Sequence, residues 1–254
     1  MSKPRVTVAV LARDNADQIA DCLQSAIWAD ELLVVLDDRS SDATGEIARG
    51  LGARVVERAF DSFAGQRDYA LSVTRTEWVF FLDSDERVPP PLSDAIRARV
   101  KEATCAGWWV ARRNYMWGHE IRHGGWWPDY QLRLLRVAAA KYDPERPVHE
   151  VVLLDGPEGH LEDPLIHYNY ATLGDFVRKQ RQYVAYEARI LYGQGVRPKP
   201  WTYLSQPLRE FRRRYVTLKG YKDGFQGLLL CLLVAYYYGF RVTVELGRLW
   251  RQAG

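Results

Sequence analysis

The chain has 254 residues, 47% of them hydrophobic and 26% charged, with a formal net charge of +3. That length gives room for one large domain, or a domain with an appendage, around a real core, and the composition is that of an ordinary globular protein apart from its 13% aromatic residues. Three cysteines, Cys22, Cys105 and Cys231, stand far apart with no C-x-x-C pair, which argues against a zinc site or a disulfide framework and fits a reducing compartment.

The stretch RVTVAVLA reads as a buried strand close to the N-terminus, and no charged-then-apolar leader precedes it, so no secretory signal is expected. Asp14 or Asn15 is placed to cap a helix whose apolar positions Ile19, Leu23 and Ile27 recur at helical spacing. ELLVVLDD is a second strand; Ser41 or Asp42 then caps the helix ATGEIARGLG, with Gly52 as its stop. ARVVE is a third strand, QRDYALSVTR a helix and WVFFLDSD a fourth strand, and Pro89–Pro91 open another helix, because proline is tolerated in a first turn. This alternation specifies a parallel sheet with helices on both faces. After Gly107 the pattern becomes antiparallel strands with Gly-containing turns, continuing through PVHEVVLL and PLIHYNY. From Thr172 onward the chain is helical, broken only by RPKPW. Residues 1–171 therefore form the expected sheet domain and 172–254 an attached helical extension.

In parallel sheets ligands bind at the carboxyl ends of the strands. Three polar features fall there: Arg13-Asp14-Asn15, Asp37-Asp38 and Asp83-Ser84-Asp85. Carboxylates crowded at the mouth of an apolar strand repel one another unless a cation sits between them, and hard divalent cations take oxygen ligands shared with substrate phosphates. A helix cap explains one such cluster; three on one edge point to a site.

The order VAVLARDN, VVLDDRSSDAT, FAGQRDYAL and FFLDSDE resembles the nucleotide-sugar-binding half of the family 2 glycosyltransferases, which have the GT-A fold. The later YQLRLLR, PVHE and LIHYNY resemble the branch containing lipopolysaccharide-core β-1,4-glucosyltransferases, so the likeness covers nearly the whole chain. The resemblance implies a Rossmann-like, mostly parallel sheet, a nucleotide-sugar donor (UDP-glucose by preference) and Mg²⁺ or Mn²⁺. It implies donor contacts from Ala12, Arg13, Asn15, Asp37, Asp38, Gln66, Arg67, Asp83 and Ser84, and metal contacts from Asp83, Asp85 and His149. His167 is a second, weaker candidate for the metal or diphosphate, while His119, His123 and His160 read as surface or turn residues. A base must take the acceptor's proton in an inverting transfer. HGGWWPDYQLRLLR nominates Asp129, although Pro128 stands where the family pattern has Glu; Glu150 in PVHE is the rival. Trp108, Trp109, Trp117, Trp126 and Trp127 supply either an acceptor platform or core packing.

The charge is unevenly spread. From Phe176 onward there are 15 Lys/Arg and 4 Asp/Glu, a balance of +11, against 20 and 28, a balance of −8, before it. The apolar run from Gly227 to Phe240 would be roughly 21 Å long as a helix, short of the ~30 Å hydrocarbon core, so it reads as a segment lying on an anionic membrane surface. No nucleic-acid motif accompanies the basic residues. The expected enzyme acts peripherally on the cytoplasmic face of the inner membrane, on a lipid-linked or lipopolysaccharide-core acceptor, with a homo-oligomer left open. The alternatives are a haloacid-dehalogenase-like phosphohydrolase, whose first strand also ends in D-x-D, and a non-catalytic nucleotide-sugar-binding protein.

Overall fold

The computed structural model describes residues 4–142 and 152–253. The chain divides into two compact units, Met1–Arg112 with Tyr130–His167, and Arg113–Asp129 with Tyr168–Gly254. The C-terminal helices fall in the second unit together with residues 113–129, and the division before them comes at 167/168.

The elements of the first unit begin with β1 (Val6–Ala12), α1 (Ile19–Gln24), β2 (Glu31–Asp37), α2 (Thr44–Gly50), β3 (Arg54–Arg58), α3 (Phe63–Val73), β4 (Trp78–Asp83), β5 (Glu86–Arg87) and α4 (Pro90–Glu102). Along the chain then come β6 (Gly107–Met116), which passes into the second unit, β7 (His119–Ile121) within that unit, and β8 (Asp129–Arg136), β9 (Ala140–Tyr142), β10 (Val152–Leu154), β11 (Glu158–His160) and β12 (Leu165–Tyr170). The main sheet runs β3-β2-β1-β4-β8-β6-β12-β5. Strands β3, β2, β1 and β4 are parallel, and β8 lies antiparallel to β4, with Phe80 opposite Leu134.

The apolar strands are two-faced. Trp78, Phe80 and Leu82 join one core with Val8 and Val10 of β1 and Val34 of β2, covered by Ile19 and Leu23 of α1 and Leu92 and Ile96 of α4. Val79 and Phe81 point the other way, with Ala9, Leu33 and Val35, against Ala64, Ala70 and Leu71 of α3. Period-two alternation between two covered faces is why these strands contain almost no polar residue. Each fully buried large side chain contributes about 1.5–3 kcal/mol, so β4 is anchored firmly up to Leu82.

Two expected caps work differently. Asp14 does not cap α1; it takes positive φ, and its carboxylate accepts from the backbone and hydroxyl of Ser41, bridging the loop after β1 to the loop after β2. Ile27 lies beyond the end of α1 and is 75% exposed. Asp42 does serve the second helix, accepting from the backbone N–H of Thr44 at 2.9 Å. Pro90 opens α4 in the first turn as expected.

In the second unit the end of β6 and β7 form a hairpin, Asn114 opposite Ile121. α5 (Leu173–Gly193) starts with a reciprocal cap between Thr172 and Asp175. α6 (Thr202–Phe211) runs into a π-helical turn (Arg212–Thr217); after a 3₁₀ turn (Gly220–Asp223) come α7 (Gly224–Val234), a second π-helical turn (Ala235–Arg241) and α8 (Val242–Ala253). Met116 and Ile121 of the hairpin share a core with Phe176, Val184, Leu230, Val234 and Leu246. Gly239 lets the last helix approach α6 at Pro207, where a Cβ would collide with the proline ring. The tryptophans divide between the readings: Trp108 is buried, Trp117 and Trp126 pack on the second core, and Trp127 is 41% exposed.

The apolar run is part of a longer helical stretch than its own 14 residues. Helical structure continues past Phe240, so Gly220–Ala253 is a 34-residue run, long and apolar enough to cross a bilayer, although half of its most apolar window is buried inside the protein. The charged residues Arg241 and Glu245 end the apolar run without ending the helix.

Candidate active site

The register of the parallel strands brings the three polar features to one edge. Leu11 pairs with Val35 on one side and Asp83 on the other, so Ala12, Asp37 and Asp83 all stand where their strands end. Asp37 is buried and takes a two-pronged grip from Arg39, Nε to Oδ1 at 3.0 Å and Nη2 to Oδ2 at 2.9 Å, with Arg13 at 3.5 Å. The hydrogen bonds from Arg39 outweigh the cost of burial and hold its carboxyl down at about 2. Asp38 and the Arg13 side chain are exposed, Asn15 lies half-buried beside them, and Ala12 is buried. Gln66 is also buried; its side chain donates to the Ala59 carbonyl at 3.0 Å and ties α3 to the end of β3, so it supports the edge from beneath.

At the mouth of β4 lies a charge network that sequence reasoning did not foresee. Arg133 of β8, only 2% exposed, donates to Asp83 Oδ1 at 3.2 Å, to Asp83 Oδ2 at 2.5 Å and to Glu86 Oε1 at 2.5 Å. Arg67 of α3 adds a contact to Asp83 Oδ1 at 3.3 Å, and Arg112 of β6 one to Glu86 Oε1 at 3.4 Å. Glu86, with no exposed side-chain surface, also accepts from the Asp83 backbone N–H through Oε2 at 3.0 Å, which closes the D-x-D turn. Burial favours the protonated form of Asp83, but the charges of Arg133 and Arg67 win and hold it well below the usual carboxylate range. For Glu86 burial prevails and pushes the carboxyl up. Ser84 presents its carbonyl to Arg87 at 2.8 Å.

Antiparallel pairing of β12 with β5 sets His167 opposite Glu86. The buried imidazole reaches Asp85, with Nε2 at 3.5 Å from Oδ2. Among the described residues no group of three or more His, Cys, Asp or Glu side chains converges to hold a metal. The donor chemistry nevertheless suits one: a carboxylate and an imidazole from the protein leave positions for donor phosphates and water, a set that a divalent ion such as Mn²⁺ accepts. Asp85 and His167 fit that role. Asp83, both of whose oxygens are engaged by arginine, does not fit direct ligation, because a metal there would have to displace buried positive charge. His149 and Glu150 lie outside the described residues.

Asp129 opens β8 and belongs to the second unit, where Oδ2 accepts from Asn114 Nδ2 at 3.3 Å. Asn114 is fully buried and also donates to the Trp126 carbonyl at 3.0 Å. His123, expected to be a turn residue, is paired with Asp223, Nδ1 to Oδ1 at 2.8 Å.

The family model described as glycosyl transferase family 2 matches residues 7–146, more than half of the chain, including Asp37, Asp83, Asp85 and Arg133 but not His167. The chain belongs to that family. This family 2 glycosyltransferase, with its GT-A fold, is 27% identical to the lipopolysaccharide core biosynthesis glycosyltransferase LpsC of Rhizobium meliloti, over 90% of this chain and 87% of that protein. An uncharacterized glycosyltransferase of Rickettsia bellii is 20% identical over 91% of this chain and 83% of its own. Among solved structures, S. aureus TarS 1–349 is 17% identical, covering 98% of this chain and 92% of that one with a TM-score of 0.48, too distant a likeness to speak to activity. Family membership sets aside the phosphohydrolase and the non-catalytic binder: the D-x-D of this glycosyltransferase ends the fourth strand of a GT-A sheet.

Proposed function

We propose that this glycosyltransferase moves a sugar, glucose by preference, with inversion from a UDP-type nucleotide donor to a lipid-linked glycan of the lipopolysaccharide-core class, with Mg²⁺ or Mn²⁺ as cofactor. The observation that carries the reading is the Asp85–His167 pair standing beside an arginine-clamped Asp83 at the carboxyl edge of the sheet. A divalent cation bound there would act as a Lewis acid toward the diphosphate leaving group. The chain's own contribution is placement. Arg133 and Glu86 fix the turn so that Asp85 stands at a set position, and Arg39 and Arg13 keep Asp37 ionised at the end of β2 to accept from donor hydroxyl or base N–H groups. Arg13, Asn15, Asp38, Arg67 and Ser84 complete the donor contacts in this reading. Asp129, with Glu150 as rival, takes the proton of the attacking hydroxyl, a role contributing roughly 10²–10⁴-fold. The lipopolysaccharide-core acceptor rests on the likeness to LpsC, a lipopolysaccharide core biosynthesis glycosyltransferase.

The reading includes peripheral attachment to the cytoplasmic face of the inner membrane. Trp201, Leu204 and Leu208 of the α6 segment and Phe225, Leu232 and Phe240 of the last helix are exposed, with Arg209, Arg212, Arg213 and Lys222 exposed among them. Apolar side chains interleaved with cations suit an anionic lipid surface. Arg214 is not part of that surface, since its guanidinium turns inward.

A thermal-shift panel of nucleotide sugars with and without Mn²⁺, run on the wild type and on Asp85→Ala, tests the donor and metal reading. UDP-glucose should stabilise the wild type only with Mn²⁺, and the variant should lose that gain with its own unfolding midpoint unchanged or slightly raised. Equal stabilisation of both proteins by UDP-glucose and Mn²⁺ defeats the metal assignment.

A further inference from the structure

The loop between β7 and β8, residues 122–128, is held by the C-terminal helical region at three points. Asp223, whose side chain is 8% exposed, accepts through Oδ2 from the backbone N–H of His123 at 2.7 Å and of Arg122 at 3.2 Å, while Oδ1 takes the His123 ring at 2.8 Å. Arg214, at the π-helical turn after α6, donates to the Gly124 carbonyl at 2.9 Å and lies over the Trp126 ring at 5.8 Å. The Gly124 N–H donates to the Leu218 carbonyl at 2.9 Å. The far end of the loop is tied by Asn114, which joins the Trp126 carbonyl to Asp129.

This loop needs such holding. Gly124 and Gly125 both have positive φ, 69° and 88°, and a Cβ on Gly125 would meet the Leu218 side chain at 3.0 Å. Two adjacent glycines give the backbone its widest choice of conformations, so a loop containing them has the most to lose on being fixed. The Asp223 carboxyl and the Arg214 guanidinium, both largely buried, direct hydrogen bonds to the backbone of one surface loop, while Arg214 also stands 3.5 Å from Glu210.

We propose that Asp223 and Arg214 are positioning residues for the catalytic carboxylate: they hold the backbone of 122–126 so that Asp129, at its end, meets the acceptor hydroxyl in reacting geometry. The proposal rests on the reading of Asp129 as the base. The C-terminal helices are then a working part of the transferase as well as its membrane-facing surface. A base displaced by about 1 Å costs on the order of 10²-fold in rate, which is the scale at stake.

The test uses the full chain, UDP-glucose and Mn²⁺, with UDP release to water as the turnover readout and hydrogen exchange at the Arg122 and His123 amides as the structural one. Asp223→Ala should release those amides and lower kcat by about 10- to 100-fold, with donor affinity and thermal midpoint near wild type. Asp223→Asn keeps an oxygen for the two N–H groups and should regain most of the rate. Arg214→Met, which frees the Gly124 carbonyl, should lower kcat in the same selective way and keeps the test open if Asp223→Ala folds poorly. Wild-type kcat in Asp223→Ala or Arg214→Met with the loop amides demonstrably released overturns the proposal. So does a rate loss that follows global unfolding and is not recovered by Asp223→Asn. The underlying reading fails separately: if Asp129→Asn turns over at the wild-type rate, the base is elsewhere and the positioning role goes with it, whereas an inactive Asp129→Asn beside a fully active, loop-released Asp223→Ala sinks the positioning role alone.

Discussion

Replacing Arg133 by methionine should destabilise the protein severely, and the structure supplies the size. The guanidinium is 2% exposed and serves Glu86, which is fully buried, and Asp83, which is 35% exposed. Methionine keeps most of the stem's volume, so the loss is one of charge. Removing one partner of a buried ion pair costs about 3–5 kcal/mol, because the other charge is left uncompensated. Asp83 adds little, since water screens a group that accessible. Arg112 remains 3.4 Å from Glu86 and carries part of the load, which sets the expectation at the lower end, about 3 kcal/mol. For a chain of this size each kcal/mol moves the thermal midpoint by roughly 2–4 °C, so the midpoint should fall by about 6–12 °C. The loss has a sign in pH. Burial already raises the Glu86 carboxyl in the folded state above its ordinary 4.5, so its ionisation costs stability as pH rises through the folded value, and removing Arg133 enlarges that cost. Calorimetry at pH 5 and pH 8 should therefore show the larger deficit at pH 8, and Glu86→Leu on the Arg133→Met background should recover most of it. A midpoint within about 1 °C of wild type at both pH values refutes the reasoning.

Asp129→Asn should lower kcat for UDP release from UDP-glucose by roughly 10²-fold or more with donor affinity nearly unchanged; if Glu150→Gln shows that signature instead, the base assignment passes to Glu150. Asp37→Asn should lower the thermal midpoint at pH 7 without nucleotide, and the gap should close as pH falls from 3.8 through about 2, where the wild-type carboxyl takes up its proton and loses the advantage given by Arg39; a gap that persists below pH 2 contradicts this. Binding to phosphatidylglycerol vesicles should weaken but survive as salt rises, because screening reaches only the electrostatic share. Arg212→Gln with Arg213→Gln should remove the salt-sensitive part and Leu204→Ser with Phe225→Ser the salt-resistant part, and a protein that stays off such vesicles at low salt has no membrane-facing surface.

The sheet and its functional edge were legible because both signals are local. Five apolar residues followed by carboxylates declare a doubly covered strand and its mouth, and β1, β2 and β4 each display that grammar within a dozen residues. The network at the mouth was not legible. Arg133 sits in QLRLLR, where an arginine in an alternating strand reads as an outward position; only the antiparallel register with β4 turns it onto Asp83 and Glu86. His167 carried too little weight for the same reason, since its pairing opposite Glu86 spans some eighty residues. His123 looked like a turn residue because its partner, Asp223, lies 100 residues on. The length of the continuous helical stretch was not legible in the apolar run alone: Arg241 closes that run, yet helix carries on through Val242–Ala253.

The long reach from the 122–128 loop to Asp223 sets an order on biosynthesis. Chains emerge at about 5–20 residues per second, so roughly 5–20 s separate the appearance of His123 from that of its partner 100 residues later. Met116 and Ile121 can meet Phe176 and Val184 earlier, but Leu230 and Val234 of their shared core follow only after a similar interval. A nascent chain stalled or cut in that window presents a partly covered apolar hairpin and an unfastened glycine loop, the kind of surface that chaperones and proteases recognise. The loop is fastened only when Arg214, Leu218 and Asp223 arrive, so quality control and the onset of activity would read the same late event.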